Sequence, residues 1–136
     1  MHSQLTFFCE LDGPALKKLF ESRFVYDDLK TLDASISLGI LDFSRERAEI
    51  VSKLNQLNVP VKAWLLLPKE DGYWFNMGNY SQAVQRYSDF KTWTREYGLV
   101  WSGIGLDIEP DINQMTEVHS KPSGLIKKAI QRYFSK

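Results

Sequence analysis

Apolar residues along this chain fall into short dense runs separated by longer stretches in which they recur every three or four positions. The runs "LTFFCEL" (5–11), "ASISLGIL" (34–41), "VPVKAWLLLP" (59–68) and "GIGLDIEPD" (103–111) read as four strands. The third is apolar almost throughout, as strands covered on both faces tend to be. After the first run, Gly13-Pro14 opens a helix with Leu16, Leu19 and Phe20 on one stripe. Ser44 stands as N-cap of a second helix lined by Ile50, Val51, Leu54 and Leu57. Ser81 opens a third, with Ala83, Tyr87, Phe90, Thr94 and Tyr97 at helical spacing and Gly98 just past its end. A last helix is predicted from about Gly124 to Phe134.

Strands alternating with helices imply right-handed crossovers and a parallel sheet, hence the α/β class. A small doubly wound sheet and part of a (β/α)8 barrel both fit that order. The strand faces favour the barrel. In the second run Ser35, Ser37 and Gly39 alternate with Ile36, Leu38 and Ile40; in the fourth, Gly103, Gly105, Asp107 and Glu109 alternate with Ile104, Leu106 and Ile108. Small and polar residues would line an interior, and the aliphatics would meet helices and must pack on something apolar. A complete barrel takes about 250 residues, so residues 1–136 are expected to form a single (β/α)4 domain, a half or truncated barrel.

Composition narrows the function classes. Seventeen basic and seventeen acidic residues cancel. No basic stripe appears, so neither nucleic acid nor an anionic membrane surface is an expected partner. One cysteine, Cys9, excludes an internal disulfide framework; it lies mid-strand and reads as a small core residue. The first residues lack the basic start and long apolar run of a secretory signal, and no stretch is long enough to span a bilayer, so a cytoplasmic location is expected.

In parallel α/β folds a ligand sits beyond the carboxyl ends of the strands, and acids gather there. Glu10 and Asp12 follow the first run and Asp42 the second, while Asp107, Glu109 and Asp111 end the fourth. Neighbouring carboxylates raise each other's cost of ionisation, which lets one stay protonated as a general acid beside a charged partner. Asp107 and Glu109 are therefore the candidate catalytic pair. Glu10 and Asp42 are candidates to face a ligand, whereas Asp12 also suits a helix cap. After the third run, "GYWFNMGNY" (72–80) is long and aromatic for a connection. Tyr73 and Trp74 could stack on sugar rings, and Asn76 and Asn79 could bond hydroxyls; the same aromatics could instead plug the mouth of the barrel. Trp64 and Trp93 read as core.

Other chemistries find less. His2 and His119 are far apart, and no glycine-rich phosphate loop is present. No resident metal or cofactor is expected, although Mg²⁺ or Ca²⁺ held by Glu10, Asp107 and Glu109 stays open, because hard cations take oxygen ligands. That set would suit a Mg²⁺-dependent phosphodiesterase or isomerase barrel.

The stretch "SGIGLDIEP" (102–110) resembles the fourth barrel strand of the family 18, chitinase-like glycoside hydrolases. Gly103 matches that family's glycine, Asp107 its last aspartate and Glu109 its acid/base glutamate, while Ser102 and Gly105 stand where its two earlier aspartates would be. The resemblance implies that Glu109 protonates a glycosidic oxygen and that Asp107 orients it or steadies a charged intermediate. The expected function is thus a glycosidase-like hydrolase acting on carbohydrate; a non-catalytic carbohydrate-binding or structural barrel remnant is the rival. Four β-α units cannot close a barrel, so the outer strands would present unpaired edges, and a homodimer is an expected partner state.

Overall fold

The computed structural model describes residues 5–109. Its elements run β1 (Thr6–Cys9), α1 (Gly13–Phe20), α2 (Arg23–Thr31), β2 (Ser35–Ile40), α3 (Arg45–Gln56), β3 (Val61–Leu65), a single 3-10 turn at Lys69–Asp71, α4 (Tyr80–Tyr97) and β4 (Gly103–Leu106). The helix expected near 124–134 lies outside the described residues, as do His2, Asp111 and His119.

All four predicted strands form, each shorter than its apolar run. Helix α2 was not anticipated: no glycine or proline separates it from α1, and of its side chains only Leu29 is buried. Local chemistry fixes the helix starts as expected. Asp12 Oδ1 accepts the Ala15 N–H at 2.9 Å, so this acid caps α1. Ser44 Oγ accepts the Arg47 N–H at 3.3 Å above α3. Gly98 ends α4 in the left-handed region (φ 61°). Helix α4 begins at Tyr80, one residue before the expected Ser81. Its buried line is Phe90 and Trp93, whereas Tyr87 and Tyr97 are exposed, so the helix sits rotated from the predicted stripe.

The strands are parallel and ordered β1-β2-β3-β4, each paired with the next in sequence. Such an order contains no reversal, and so no topological switch point of the doubly wound kind. Register sorts the side chains into rows. Cys9, Leu38, Ala63 and Ile104 lie level on one face, and Ile40, Leu65 and Leu106 form the next row. This is the helix side, where Leu16, Phe20, Val51, Leu54, Phe90 and Trp93 join the same apolar core. Each wholly buried leucine or isoleucine there contributes about 2 kcal/mol.

The opposite face carries Phe8, Ser37, Lys62 and Gly103 in one row and Gly39, Trp64 and Gly105 in the next. Phe8 is 74% exposed and Lys62 is also exposed, so no further layer covers β1 and β3 on this side among the described residues, while Ser35, Ser37 and Gly39 of β2 are buried. Trp64, expected in the core, belongs to this open side and is half-buried. Its indole meets the Phe8 ring edge-on at 6.0 Å between centroids. The two rings stand on β1 and β3 and reach each other across β2. Only small residues on the intervening strand permit that, and Ser37 and Gly39 supply them. On the helix side of β4, Ile104, Leu106 and Ile108 are exposed, so the expected apolar cover is not present among the described residues.

Candidate functional site

Beyond the carboxyl end of β1, Glu10 continues the open face. Its Oε1 accepts a hydrogen bond from the phenol of Tyr73, a residue 63 positions away in the loop after β3. That bond passes over the end of β2 at Gly39. A Cβ there would come within 3.3 Å of the Cys9 carbonyl and 3.5 Å of the Glu10 Cγ, so glycine makes the room Glu10 occupies. Burial, then the hydrogen bond to Glu10 and its charge, push the Tyr73 phenol well above its ordinary value. Tyr73 therefore stays a hydrogen-bond donor across the physiological range. It fixes one oxygen of Glu10, and the other has no partner among the described residues.

The loop that delivers Tyr73 is built by its own polar residues. Gly72 and Tyr73 both take positive φ, 99° and 63°, an uncommon geometry for a bulky side chain. Backbone bonds from Leu67 N to Tyr73 O (2.9 Å) and from Tyr73 N to Pro68 O (3.2 Å) clasp the turn. Asn79 is buried; its amide donates to the Asp71 and Trp74 carbonyls, each at 2.9 Å, and its Oδ1 accepts the Asn76 N–H at 2.8 Å. Asn76 Oδ1 in turn accepts the Gly78 N–H at 2.8 Å, while its buried Nδ2 has no partner among the described residues. The amides expected to meet hydroxyls thus hold the loop together, apart from that one N–H₂ group.

The aromatics divide. Phe75 is buried and bridges in parallel fashion to Ile108, donating its N–H to the Asp107 carbonyl at 3.0 Å and accepting from the Glu109 N–H at 3.1 Å. This places the backbone of Asp107 and Glu109 alongside the loop as an extension of the sheet. Trp74 is half-buried and meets Tyr73 edge-to-face at 5.7 Å. By strand alternation Asp107 and Glu109 share the open side with Gly103 and Gly105. Asp107 is half-buried and Glu109 exposed, and neither side chain has a hydrogen-bond partner among the described residues. Among the described residues a Cβ at Gly105 would meet nothing within 4 Å.

Asp42 belongs to a different structure. Its carboxylate accepts from Arg47 Nη2 at 2.9 Å and Nε at 3.2 Å, and from the Ser44 N–H at 3.0 Å and hydroxyl. Burial alone would raise this carboxyl, but the bonds from Arg47 and Ser44 override it and hold the pKa at about 2. Arg47 is wholly buried and also donates to the Gly39 carbonyl at 2.7 Å and the Leu11 carbonyl at 3.0 Å. Arg86 performs a related task from α4, donating to Ile40 O and Leu66 O at 2.9 Å each, with its guanidinium 4.1 Å above the Phe43 ring. These two arginines, absent from the sequence expectations, tie the carboxyl ends of the first three strands to the helices. Arg47 carried a legible signal, since it falls on the Val51–Leu54 stripe of α3 at helical spacing.

Among the described residues no group of three His, Cys, Asp or Glu side chains could hold a metal ion, so Glu10, Asp107 and Glu109 do not converge on one cation. Nor is any helix long and apolar enough to cross a membrane among them. No known protein family, curated protein or solved structure matches the chain.

Proposed function

We propose that the carboxyl-end rim of the sheet is a carbohydrate site in a glycoside-hydrolase-like half of a (β/α)8 barrel, with Glu109 as proton donor and Asp107 as its orienting neighbour. One observation carries the reading. The open face runs from an aromatic floor, Phe8 against Trp64, to carboxylates at the ends of β1 and β4, one of them held by Tyr73. Sugars present apolar ring faces for such a floor and hydroxyls for such acids. The unreversed strand order supports the barrel, in which successive strands are neighbours. The resemblance of "SGIGLDIEP" to the family 18 strand supports the roles of Asp107 and Glu109.

Purified protein is assayed on a panel of activated aryl glycosides. Glu109→Gln is expected to abolish hydrolysis while leaving the melting temperature within about 2–4 °C, because an exposed rim acid contributes little packing. Equal turnover in wild type and variant would remove Glu109 from the chemistry. A second reading, binding without turnover, is favoured by Gly105, which stands where the family places an aspartate. Its signature is an oligosaccharide-dependent change in tryptophan fluorescence from a protein that cleaves none of the panel.

A further inference from the structure

The described sheet has two outer edges, β1 and β4, and we infer that they are complementary halves of one contact, made between two copies of this chain. Each edge is parallel and unpaired among the described residues, an arrangement that invites a further strand. The β1 edge offers an apolar groove of about 500 Å³ between the strand and α2, lined on the helix side by Phe7, Leu19, Phe20, Leu29 and Leu32. On the same side, β4 presents Ile104, Leu106 and Ile108, all exposed. A partner's β4 laid parallel to β1 would set those aliphatics into the groove and continue the helix-side layer.

The open side matches in the opposite sense. Phe8 projects from β1 with three-quarters of its surface free, and β4 carries Gly103 and Gly105 there. Among the described residues a Cβ at Gly105 would meet nothing within 4 Å, which leaves room for a ring over it. Bulk faces space on one side of the sheet, and branched aliphatics face a groove on the other. Both relations are satisfied twice by a two-fold axis running along the sheet, because β1 then meets the partner's β4 at each of two joints.

The area suffices. At ~200 Å² for a large apolar side chain, the exposed fractions on the two edges give ~1,500 Å² buried over both joints, within the range of stable specific interfaces. All eight strands would run the same way, bringing both sets of carboxyl ends to a single rim. The acids of β1 in one copy would then neighbour the acids after β4 in the other, and the site would be incomplete in a monomer. This consequence for the site rests on the carbohydrate reading above; the interface itself does not.

Sedimentation equilibrium on the purified 136-residue chain at tens of micromolar is the test. The expected mass is twice the 15.8 kDa of one chain. Gly105→Leu, which meets open space within one copy, is expected to weaken association ~10-fold or more by striking the partner's Phe8, with the far-UV spectrum unchanged. Phe8→Ala is expected to weaken it as well, and serves if Gly105→Leu disturbs folding. A monomeric wild type, or a dimer indifferent to both substitutions, overturns the proposal; the former would assign the cover of β4 to the chain's own residues. A dimer that binds no oligosaccharide keeps the interface and removes the carbohydrate reading.

Discussion

Asp42 and Glu10 each lie just past the carboxyl end of one of two neighbouring strands, yet the protein uses them in different ways. Around Asp42 both carboxylate oxygens are filled by Arg47 and Ser44. Around Glu10 one oxygen is held by a neutral phenol and the other has no partner among the described residues. A carboxylate bonded to a guanidinium is charge-matched and structurally spent. One bonded to a phenol through a single oxygen keeps half of its bonding capacity for another molecule. An acid's position at a strand end does not decide its role; what satisfies its oxygens does.

Breaking the Asp42 region should cost the most. Arg47→Met removes a fully buried cation that binds two strand-end carbonyls as well as Asp42, leaving three acceptors unsatisfied. The expected loss is about 3–5 kcal/mol in a urea titration. A loss under about 1 kcal/mol would mean that the strand ends hold without the brace and that the contrast with Glu10 is overstated.

Much of this architecture was legible in the sequence, and the remainder was not for identifiable reasons. The four strands, the caps at Asp12 and Ser44 and the stop at Gly98 follow from local chemistry, which neighbouring residues decide among themselves. Arg47 was readable in principle from its place on an apolar stripe. The Tyr73–Glu10 bond was not, because a contact across 63 residues leaves no periodicity. The asparagines have a task that composition does not reveal. A loop of this length must satisfy its own backbone, and Asn76 and Asn79 do so, leaving the Asn76 Nδ2 group without a partner among the described residues. Alternation correctly grouped Ser37 and Gly39 on one face, though their smallness serves the Phe8–Trp64 contact and Glu10 before any ligand.

On the Glu10 side, Tyr73→Phe deletes one hydroxyl and should cost about 1–2 kcal/mol, less than the loss of Arg47. The same change frees the second oxygen of Glu10. The raised phenol contributes stability below its unfolded value near 10, and this is lost as pH rises beyond it. The gap between wild type and Tyr73→Phe, followed by urea midpoints, should therefore narrow in strong alkali. A gap constant from neutral to alkaline pH would mean that the phenol does not hold Glu10 in solution.

Acid should act on the other region, with a smaller effect. Asp42 is depressed to about 2 in the folded chain against about 3.9 unfolded. A depressed carboxyl contributes stability above its unfolded pKa, and that contribution is lost as pH falls through about 2. The Asp42 side chain is 40% exposed, so solvent screening limits the effect to about 1 kcal/mol. Asp42→Asn should therefore be less stable than wild type at neutral pH and converge on it near pH 2. Parallel curves down to that pH would mean that Asp42 acts through shape and hydrogen bonding alone.

Trp74→Ala should have the smallest effect on stability and the sharpest on the rim. The ring is half-buried and touches Tyr73 by its edge, while the bond that Asn79 makes to residue 74 goes to the main chain and survives the substitution. The expected loss is about 1 kcal/mol or less. Phe75 beside it marks the opposite case: its ring is buried in the core, and truncation there would cost about 3–5 kcal/mol. If Trp74 is a sugar platform, its removal should reduce the oligosaccharide-induced fluorescence change to the part that Trp64 reports, while urea midpoints barely move. A destabilisation on the scale set for Phe75 would instead make Trp74 part of the loop's packing, and the aromatic contribution to the rim would then fall to Phe8 and Trp64 alone.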